Sequence, residues 1–176
     1  HGCRVNIAQG YGMTEALAAT CVAWGDANKP GSIGIPLPGN YYKIVRPGTQ
    51  DEVEQGEDGE ICTCGPTVMM GYLGNEKETN EMLQQHKDGY VWLHTGDIGY
   101  MDKDGCFFYR QRLKRMIVSS GYNVYPQQIE TVIEGHEDVL KCTVIGIPHK
   151  YKVEVPKAYI VLKDGGSLLF NHKPIR

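Results

Sequence analysis

The chain has 176 residues, enough for one ordinary domain or for two small ones. Eighteen basic residues against 21 acidic ones give a formal charge of −3, which excludes the basic field that nucleic-acid binding uses. No apolar run approaches the roughly 18 residues of a membrane span, and the six cysteines are scattered without a disulfide framework. We therefore expect a soluble, cytoplasmic protein with reduced thiols.

The N-terminal segment is predicted to form a strand, a tight turn and the start of a helix. A short, partly apolar run from Cys3 to Ala8 favours the strand, and the glycines that follow favour the turn. The Ala- and Leu-rich residues after Glu15 favour the helix.

Residues 29–109 have the character of an antiparallel sheet or barrel. Short β-type runs at Tyr41–Val45, Gly59–Thr63 and Tyr90–Leu93 alternate with Pro-Gly, Asp-Gly and Gly-Pro turns. The polar segment Glu76–Gln85 interrupts them and is predicted to be a short surface helix.

The pattern changes again after Arg110. Pro126 is predicted to open a helix in which Ile129, Val132 and Ile133 recur at i, i+3 and i+4. Two strands follow, 139–147, ended by Pro148, and 155–162.

The predicted fold class is α+β. A distorted antiparallel β-barrel, at the end of a larger domain, occupies residues 1–110. A hinge and a small, incomplete α+β domain occupy residues 111–176.

The segment from Gln9 to Glu15 contains the residue types that a nucleotide triphosphate requires. Gly10 and Gly12 allow close backbone approach, and Tyr11 offers a stacking surface for a base. Thr14 can donate to a phosphate oxygen, and Glu15 can bind magnesium. The alternative is a plain glycine turn followed by a helix cap, which the segment alone does not exclude.

Two further segments carry polar side chains of the same kind. In the first, Asp97 follows Thr95 and Gly96 at the predicted end of a strand, where a carboxylate can accept the hydroxyls of a ribose. In the second, Arg112, Lys114 and Arg115 can meet phosphate or ribose oxygens. The alternatives are a plain turn and a solvated basic face.

The pair Cys62 and Cys64 is not predicted to bind a metal. The two cysteines fall on one face of a strand, and no second Cys or His pair follows at zinc spacing.

Taken in order, these segments resemble the later core motifs of the adenylate-forming superfamily, in its acyl-CoA synthetase branch. The motifs that carry the resemblance are Tyr-Gly-Met-Thr-Glu at 11–15, Gly-Glu-Ile at 59–61 with Met-Gly-Tyr-Leu at 70–73, Thr-Gly-Asp at 95–97, and the stretch 112–130. The resemblance implies an ATP-dependent, AMP-forming ligase that joins a small-molecule carboxylic acid to a thiol. The carboxylate attacks the α-phosphate of ATP to form an acyl-adenylate, and the thiol then displaces AMP.

The resemblance also assigns roles to the residues of the first two segments. Tyr11, between Gly10 and Gly12, would stack on adenine, Thr14 would contact phosphate, and Glu15 would help to bind Mg²⁺. Asp97 would hold the ribose hydroxyls, with Arg112 beside it.

Further along the chain, the resemblance implies a mechanical role for Lys114, as the hinge on which the small domain turns. Ser120 and Gly121 would belong to the loop that then enters the site beside the thiol channel. The phrase Gly-Tyr-Asn-Val-Tyr-Pro at 121–126 resembles acyl-CoA synthetases more than peptide synthetases. It therefore favours CoA as the acceptor.

Several positions depart from the pattern. Gln111 stands where many relatives have glycine, and Val118 stands where many have lysine. The family's glycine-rich phosphate loop has no counterpart, and Lys157 and Lys173 are poor matches to its catalytic lysine, since the tail from Ser167 to Arg176 departs from the family pattern. We therefore expect a C-terminal fragment that does not form acyl-adenylate alone, which carboxylate-dependent exchange of pyrophosphate into ATP would test.

Three alternatives remain open at this stage. The acceptor is a carrier-protein thiol in the first, and the chain is a non-catalytic nucleotide-binding module in the second. The third is a β-rich domain without a ligand, which would require the ordered motifs to be coincidental.

Overall fold

The computed structural model describes residues 7–164, so most of the strand predicted at 3–8 and the tail at 167–176 lie outside the described residues. The chain divides into two compact units. The first ends at Lys114 and the second begins at Arg115.

The first unit is built from one antiparallel sheet of eight strands and one short helix. Its elements are β1 Gly10–Met13, β2 Ala18–Val22, β3 Ser32–Pro36, β4 Tyr41–Val45, β5 Gly59–Cys64, α1 Glu76–Met82, β6 Leu83–Gln85, β7 Val91–Met101 and β8 Phe107–Arg112. The strand order is β1-β2-β3-β8-β7-β5-β4, with β6 paired to β7. The α+β class and the antiparallel pairing are confirmed.

The strands of the first unit do not close into the predicted barrel. Among the described residues, β1 and β4 stand at opposite ends of the strand order. The pairing of β2 with β3 is short, and β3 bends at a bulge between Ser32 and Gly34. Alternation of apolar residues specifies strands but not whether the outermost two meet, which is why the sequence could not decide this.

The core of this unit lies on both sides of β5. Ile61 packs into a cluster with Cys21, Ile33, Ile44 and Phe107. Neighbouring residues of a strand face opposite sides, and Cys62 and Cys64 accordingly pack into a second cluster with Val45 and Trp92. Their expected placement on one face of the strand is confirmed.

The helix predicted after Glu15 is wrong, because this segment forms the strand β2. A single 3₁₀ turn at Thr14–Ala16 is followed by left-handed backbone at Leu17 and Ala18, with φ of 55° and 72°. The chain therefore reverses, and β2 pairs antiparallel with β1. Tertiary pairing overrides the helix propensity of the alanines here, since so short a run of good helix formers is marginal by itself.

The helix predicted at Glu76–Gln85 is confirmed in its first part. The Asn75 side chain accepts a hydrogen bond from the backbone N–H of Glu78 at 3.2 Å, which caps the N-terminus of α1. The last three residues leave the helix and pair with β7 as β6. The strand predicted at Tyr41–Val45 has the observed bounds of β4.

The second unit is a four-stranded antiparallel sheet covered by one helix. Its elements are β9 Ile117–Ser119, β10 Tyr122–Val124, α2 Pro126–Glu134, β11 Val139–His149 and β12 Val153–Leu162, in the sheet order β10-β9-β12-β11. The predicted strand end at Pro148 is wrong, because β11 continues to His149. Since β11 is an edge strand, a residue without an N–H is tolerated in it.

The helix α2 begins at Pro126 as predicted and packs on this sheet through Ile129 and Ile133. Val132, expected on the same face, is 79% exposed. The Glu130 carboxylate fixes the helix by accepting hydrogen bonds from Arg115 at 2.6 Å and from the backbone N–H of Val144 at 2.7 Å.

The close pairing at β3 makes a prediction about Gly34. A Cβ placed there would lie 2.0 Å from the backbone of Val22, and φ is +92°. We expect Gly34→Ala to reduce the free energy of unfolding by at least about 3 kcal/mol, because both backbone strain and backbone overlap must be relieved. Urea denaturation followed by circular dichroism would measure the loss.

Gly31→Ala is the matched control for this substitution. Its φ is +79°, but nothing lies within 4 Å of the added Cβ. It should lose only the strain of about 1–2 kcal/mol. Equal losses in the two variants would contradict the close approach at Gly34.

Candidate functional site

The structure brings together Tyr11, Asp97 and Arg112, three of the predicted site residues. Tyr11 Oη donates a hydrogen bond to Asp97 Oδ2 at 2.6 Å. Arg112 Nη1 lies 3.1 Å from Asp97 Oδ1. The β7–β8 register places Asp97 directly opposite Arg112, so strand pairing brings the two residues of this ion pair together.

The Asp97 carboxylate is buried, with 3% of the residue exposed. Although Arg112 is near, Oδ1 accepts no well-aligned hydrogen bond from residues 7–164. Burial raises the pKa of Asp97, and the hydrogen bond from Tyr11 and the charge of Arg112 oppose this rise. The result is a carboxylate oxygen with unused acceptor capacity, which suits a ligand hydroxyl.

Tyr11 contacts both this carboxylate and the apolar core. Its ring lies 6.4 Å from that of Tyr42 and 6.5 Å from that of Tyr109, between centroids. Burial first, and the charge of Asp97 second, raise the pKa of the Tyr11 phenol. Tyr11 therefore stays protonated as a donor at neutral pH.

Asp97 was expected at the end of a strand, but it lies inside β7. Gly96, with φ of 68°, and a register shift between Ile98 and Gly99 let the strand bend there without ending. Thr95 Oγ1 donates to the Ile61 carbonyl at 2.7 Å and accepts from the Asp97 N–H at 3.1 Å. The bend at 95–97 is thus held by hydrogen bonds from β5.

Gly10, Tyr11, Gly12 and Thr14 line one side of an open cleft of about 620 Å³. Leu17, Ala18 and Ala19 complete its wall together with Met13. At Gly12, an added Cβ would lie 1.5 Å from the carbonyl oxygen of Ala18. Pairing with β2 therefore requires glycine at this position, whether or not a ligand approaches.

Glu15 follows the cleft residue Thr14 and contacts a segment to which the sequence analysis assigned no role. Its Oε1 accepts a hydrogen bond from Tyr72 Oη at 2.8 Å, and its backbone carbonyl accepts from the Met69 N–H at 2.8 Å. The contact with Glu15 raises the pKa of Tyr72 to about 12. The motif at 70–73 was the available signal for this contact.

Glu15 fits a magnesium ion in part. It offers carboxylate oxygen, the ligand type that Mg²⁺ prefers, and one of its two oxygens has no hydrogen-bond partner among residues 7–164. Mg²⁺ is usually held by one or two carboxylates together with water and phosphate oxygens, so a single carboxylate is sufficient only beside a phosphate.

The remaining predicted site residues lie at or beyond the boundary between the units. Lys114 is exposed in a 3₁₀ turn at Leu113–Arg115. Ser120 and Gly121, with φ of 52° and 82°, form the two-residue turn between β9 and β10. The Ser120 N–H donates to the Lys152 carbonyl at 3.0 Å.

Sequence reasoning missed a buried group behind the bend at 95–97. Glu60, His86 and His94 are each 5% exposed or less and are linked by hydrogen bonds. Glu60, Cys62 and His94 also bring one possible metal-ligand atom each within 4.8 Å of one another. Their separation of 34 residues in sequence hides this contact, which appears only through the β5–β7 pairing.

Comparisons with known proteins match the chain to AMP-binding enzymes. Two family profiles match it: "AMP-binding enzyme" over residues 1–73 and "AMP-binding enzyme C-terminal domain" over residues 128–174. The sequence is 43% identical over 165 residues to probable 4-coumarate–CoA ligase 1 of Dictyostelium discoideum, covering 94% of this chain and 29% of that protein. It is 42% identical over 163 residues to a long-chain-fatty-acid–CoA ligase of Bacillus subtilis (strain 168), covering 92% and 28%.

Solved structures give the same result. ATP-bound MatB from Rhodopseudomonas palustris matches with a TM-score of 0.82 and 32% identity, covering 92% of this chain and 31% of that one. The chain therefore spans less than a third of the length of these relatives. Within residues 7–164, neither helix has the length and apolar character that crossing a membrane requires.

The buried carboxylate predicts an unusual response to pH. Because the pKa of Asp97 is raised in the folded state, ionised Asp97 reduces stability once the pH exceeds its ordinary value of 3.8. Asp97→Asn removes this loss. We expect the free energy of unfolding of Asp97→Asn to increase relative to that of the unaltered chain as the pH rises from 3.8 through the folded-state pKa of Asp97. Urea denaturation at a series of pH values would measure the difference.

Asp102→Asn is the control of opposite sign. Its hydrogen bond with Lys29 lowers the pKa of Asp102, so ionised Asp102 stabilises the fold above pH 3.8, and this contribution is lost as the pH falls through its folded-state value. The substitution should therefore destabilise the chain near neutrality. A loss of stability at neutral pH in both variants would argue against the burial penalty at Asp97.

Proposed function

We propose, from the premise that this chain belongs to the AMP-binding enzyme family, that its first unit carries the adenine and ribose side of a nucleotide site. The observation that carries the proposal is the Asp97 carboxylate, whose Oδ1 is buried beside Arg112 without an aligned donor. A ribose hydroxyl is a donor of the required kind. The adjoining cleft offers Tyr11 and two glycines for the base.

In this proposal, Asp97 binds the ribose by exchanging donors. In the structure, Tyr11 Oη donates a hydrogen bond to Asp97 Oδ2. A ribose hydroxyl can take that position if the Tyr11 side chain turns toward the cleft, which also frees the ring to stack on adenine. The second hydroxyl then meets Oδ1, with Arg112 balancing the carboxylate charge.

Thr14 and Glu15 are proposed to serve the phosphate end of the same ligand. Thr14 is exposed beside the cleft, so its hydroxyl is accessible to a phosphate oxygen. Glu15 would hold Mg²⁺ together with phosphate oxygens and water, and the ion would supply positive charge at the phosphates. The hydrogen bond from Tyr72 fixes the orientation of the Glu15 carboxylate.

We further propose that a full-length protein with this chain activates a carboxylic acid with ATP and transfers the acyl group to CoA. In the first step the carboxylate oxygen bonds to the α-phosphorus of ATP and pyrophosphate leaves. In the second step the thiol sulfur bonds to the acyl carbon and AMP leaves. The relatives named as 4-coumarate– and long-chain-fatty-acid–CoA ligases support this activity.

The part of this chain in that reaction is positioning and electrostatic. Asp97 and Tyr11 would fix the nucleoside, so that the α-phosphate stays in line with the attacking carboxylate. Thr14 would donate to the phosphate on which negative charge develops.

Lys114 and the second unit are proposed to serve the transfer step. A hinge requires backbone freedom at a few positions and no special side chain, and the exposed turn at Leu113–Arg115 meets this requirement. Ser120 and Gly121 would line the path of the CoA thiol. Assaying the full-length protein with CoA against a carrier-protein thiol would decide the acceptor.

Two substitutions at Tyr11 test the nucleotide site. Tyr11→Ala removes the stacking surface, so AMP binding should weaken by about 1–3 kcal/mol. Tyr11→Phe keeps the ring but leaves Asp97 Oδ2 without its donor in the free protein. Because AMP would then restore a donor, we expect roughly three- to tenfold tighter binding in a less stable chain. Isothermal titration with AMP and Mg²⁺ and thermal melts would measure both effects.

Tyr122→Phe is the matched control, since Tyr122 is 76% exposed and lies in the second unit. It should leave AMP affinity and melting temperature unchanged. Absence of binding heat in the unaltered chain would overturn the proposed site. Equal weakening by Tyr11→Phe and Tyr11→Ala would overturn the exchange of donors at Asp97.

A further inference from the structure

We infer that Glu60, supported by His94 and His86, is a positioning residue that fixes the bend at 95–97 and thereby aims the Asp97 carboxylate at the ribose. The inference rests on the proposed nucleotide site and adds a residue to it. Glu60 has no predicted contact with the nucleotide, so its effect would pass through the backbone of Gly96.

The connection consists of three hydrogen bonds in series. His86 Nε2 lies 2.9 Å from His94 Nε2, and His94 Nδ1 lies 2.9 Å from Glu60 Oε2. Glu60 Oε1 then accepts from the Gly96 N–H at 3.0 Å. Glu60 and His94 are each 5% exposed and His86 is 4% exposed, so bulk water does not compete for these bonds.

The order of the protons follows from the partners. An ionised Glu60 can only accept, so His94 Nδ1 must donate to it. A neutral His94 then accepts at Nε2, and His86 must donate there from its own Nε2. Burial, with smaller effects from Lys43 and His94, lowers the pKa of His86 and favours its neutral form. With these protons the series carries one negative charge, on Glu60, and His86 Nδ1 is left as a buried acceptor without a partner among residues 7–164.

The series reaches the bend at 95–97 through Gly96, which has no side chain that packing could hold. A Cβ built on Gly96 would meet nothing within 4 Å, and the backbone there is left-handed, with φ of 68°. Two contacts from β5 hold it instead: Glu60 accepts from the Gly96 N–H, and the Ile61 carbonyl accepts from Thr95 Oγ1. The direction of the Asp97 side chain is thus set by β5.

A metal site explains the same residues less well. Cys62, Glu60 and His94 have the donor atoms of a zinc site, and these atoms lie within 4.8 Å of one another. The hydrogen bonds of the group nevertheless leave little room for an ion. Both Glu60 oxygens and His94 Nδ1 already have hydrogen-bond partners.

Glu60→Gln tests the inference with two ligands, AMP and its 2′,3′-dideoxy analogue. The neutral amide weakens the bond to Gly96 and presents a donor to His94 Nδ1, so the bend should loosen. We expect AMP to bind about tenfold more weakly. The analogue, which lacks the hydroxyls that Asp97 would hold, should bind Glu60→Gln and the unaltered chain equally.

Nuclear magnetic resonance gives a readout that does not depend on a ligand. The Gly96 amide proton should move upfield in Glu60→Gln, because its acceptor loses the negative charge. Long-range ¹⁵N spectra of His94 should report Nδ1 as protonated and Nε2 as unprotonated in the unaltered chain.

A pair of substitutions at His94 keeps the test decisive if Glu60→Gln does not fold. His94→Asn retains a donor near the position of Nδ1 and should keep most of the AMP affinity. His94→Leu removes the donor, so it should weaken the binding of AMP and leave the binding of the analogue unchanged. Glu52→Gln is the matched carboxylate control, since Glu52 contacts Lys43 at 3.6 Å and is 65% exposed.

The outcomes separate the two proposals. Equal losses for AMP and the analogue would show a general structural role and so overturn the positioning role of Glu60. Unchanged binding of both ligands would also overturn it. If the unaltered chain binds neither ligand, the proposed nucleotide site fails and the ribose role of Glu60 fails with it. The Gly96 shift would still report whether Glu60 holds the bend.

Discussion

Strand β5 is buried at all six of its residues, and it pairs with β4 on one side and β7 on the other. One face contributes Ile61 to the larger apolar cluster, and the other contributes Cys62 and Cys64 to the smaller one. A strand enclosed in this way has little freedom to shift its register, because a slip of one residue would exchange its two faces. The position of every group bonded to β5 is therefore tied to the core, and the bend at 95–97 is among them.

This arrangement holds the carboxyl group of Asp97 in the interior of the first unit. Burial disfavours the charged form of Asp97, and Tyr11 and Arg112 compensate only in part, so its pKa remains raised. Such a group weakens the fold, and structures retain it where the unused acceptor serves a ligand. Rigid support from β5 keeps the carboxylate from turning away to find another donor.

The sequence predicted those elements whose signals are local. Alternation and turn residues located β4 with its observed bounds, and Pro126 marked the first residue of α2. The strand β2 was missed because the reversal at Leu17 and Ala18 uses left-handed backbone at residues that rarely adopt it.

The residues of the candidate site were predicted from the sequence, but the contacts between them were not. Tyr11, Asp97 and Arg112 were named from motifs, but their contact depends on pairing across β7 and β8 and on a separation of 86 residues between Tyr11 and Asp97. Glu60 and His94 could not be joined by inspection of the sequence, since only the register of β5 on β7 places them together. Long-range register, not residue type, is what single-sequence reasoning lacks here.

The glycines show the same limit, because Gly12 is required by the backbone of Ala18 and Gly96 by its own left-handed conformation. A glycine beside a cleft therefore does not by itself indicate a ligand, whereas a buried carboxylate oxygen without an aligned donor requires an explanation, which a ligand hydroxyl would supply.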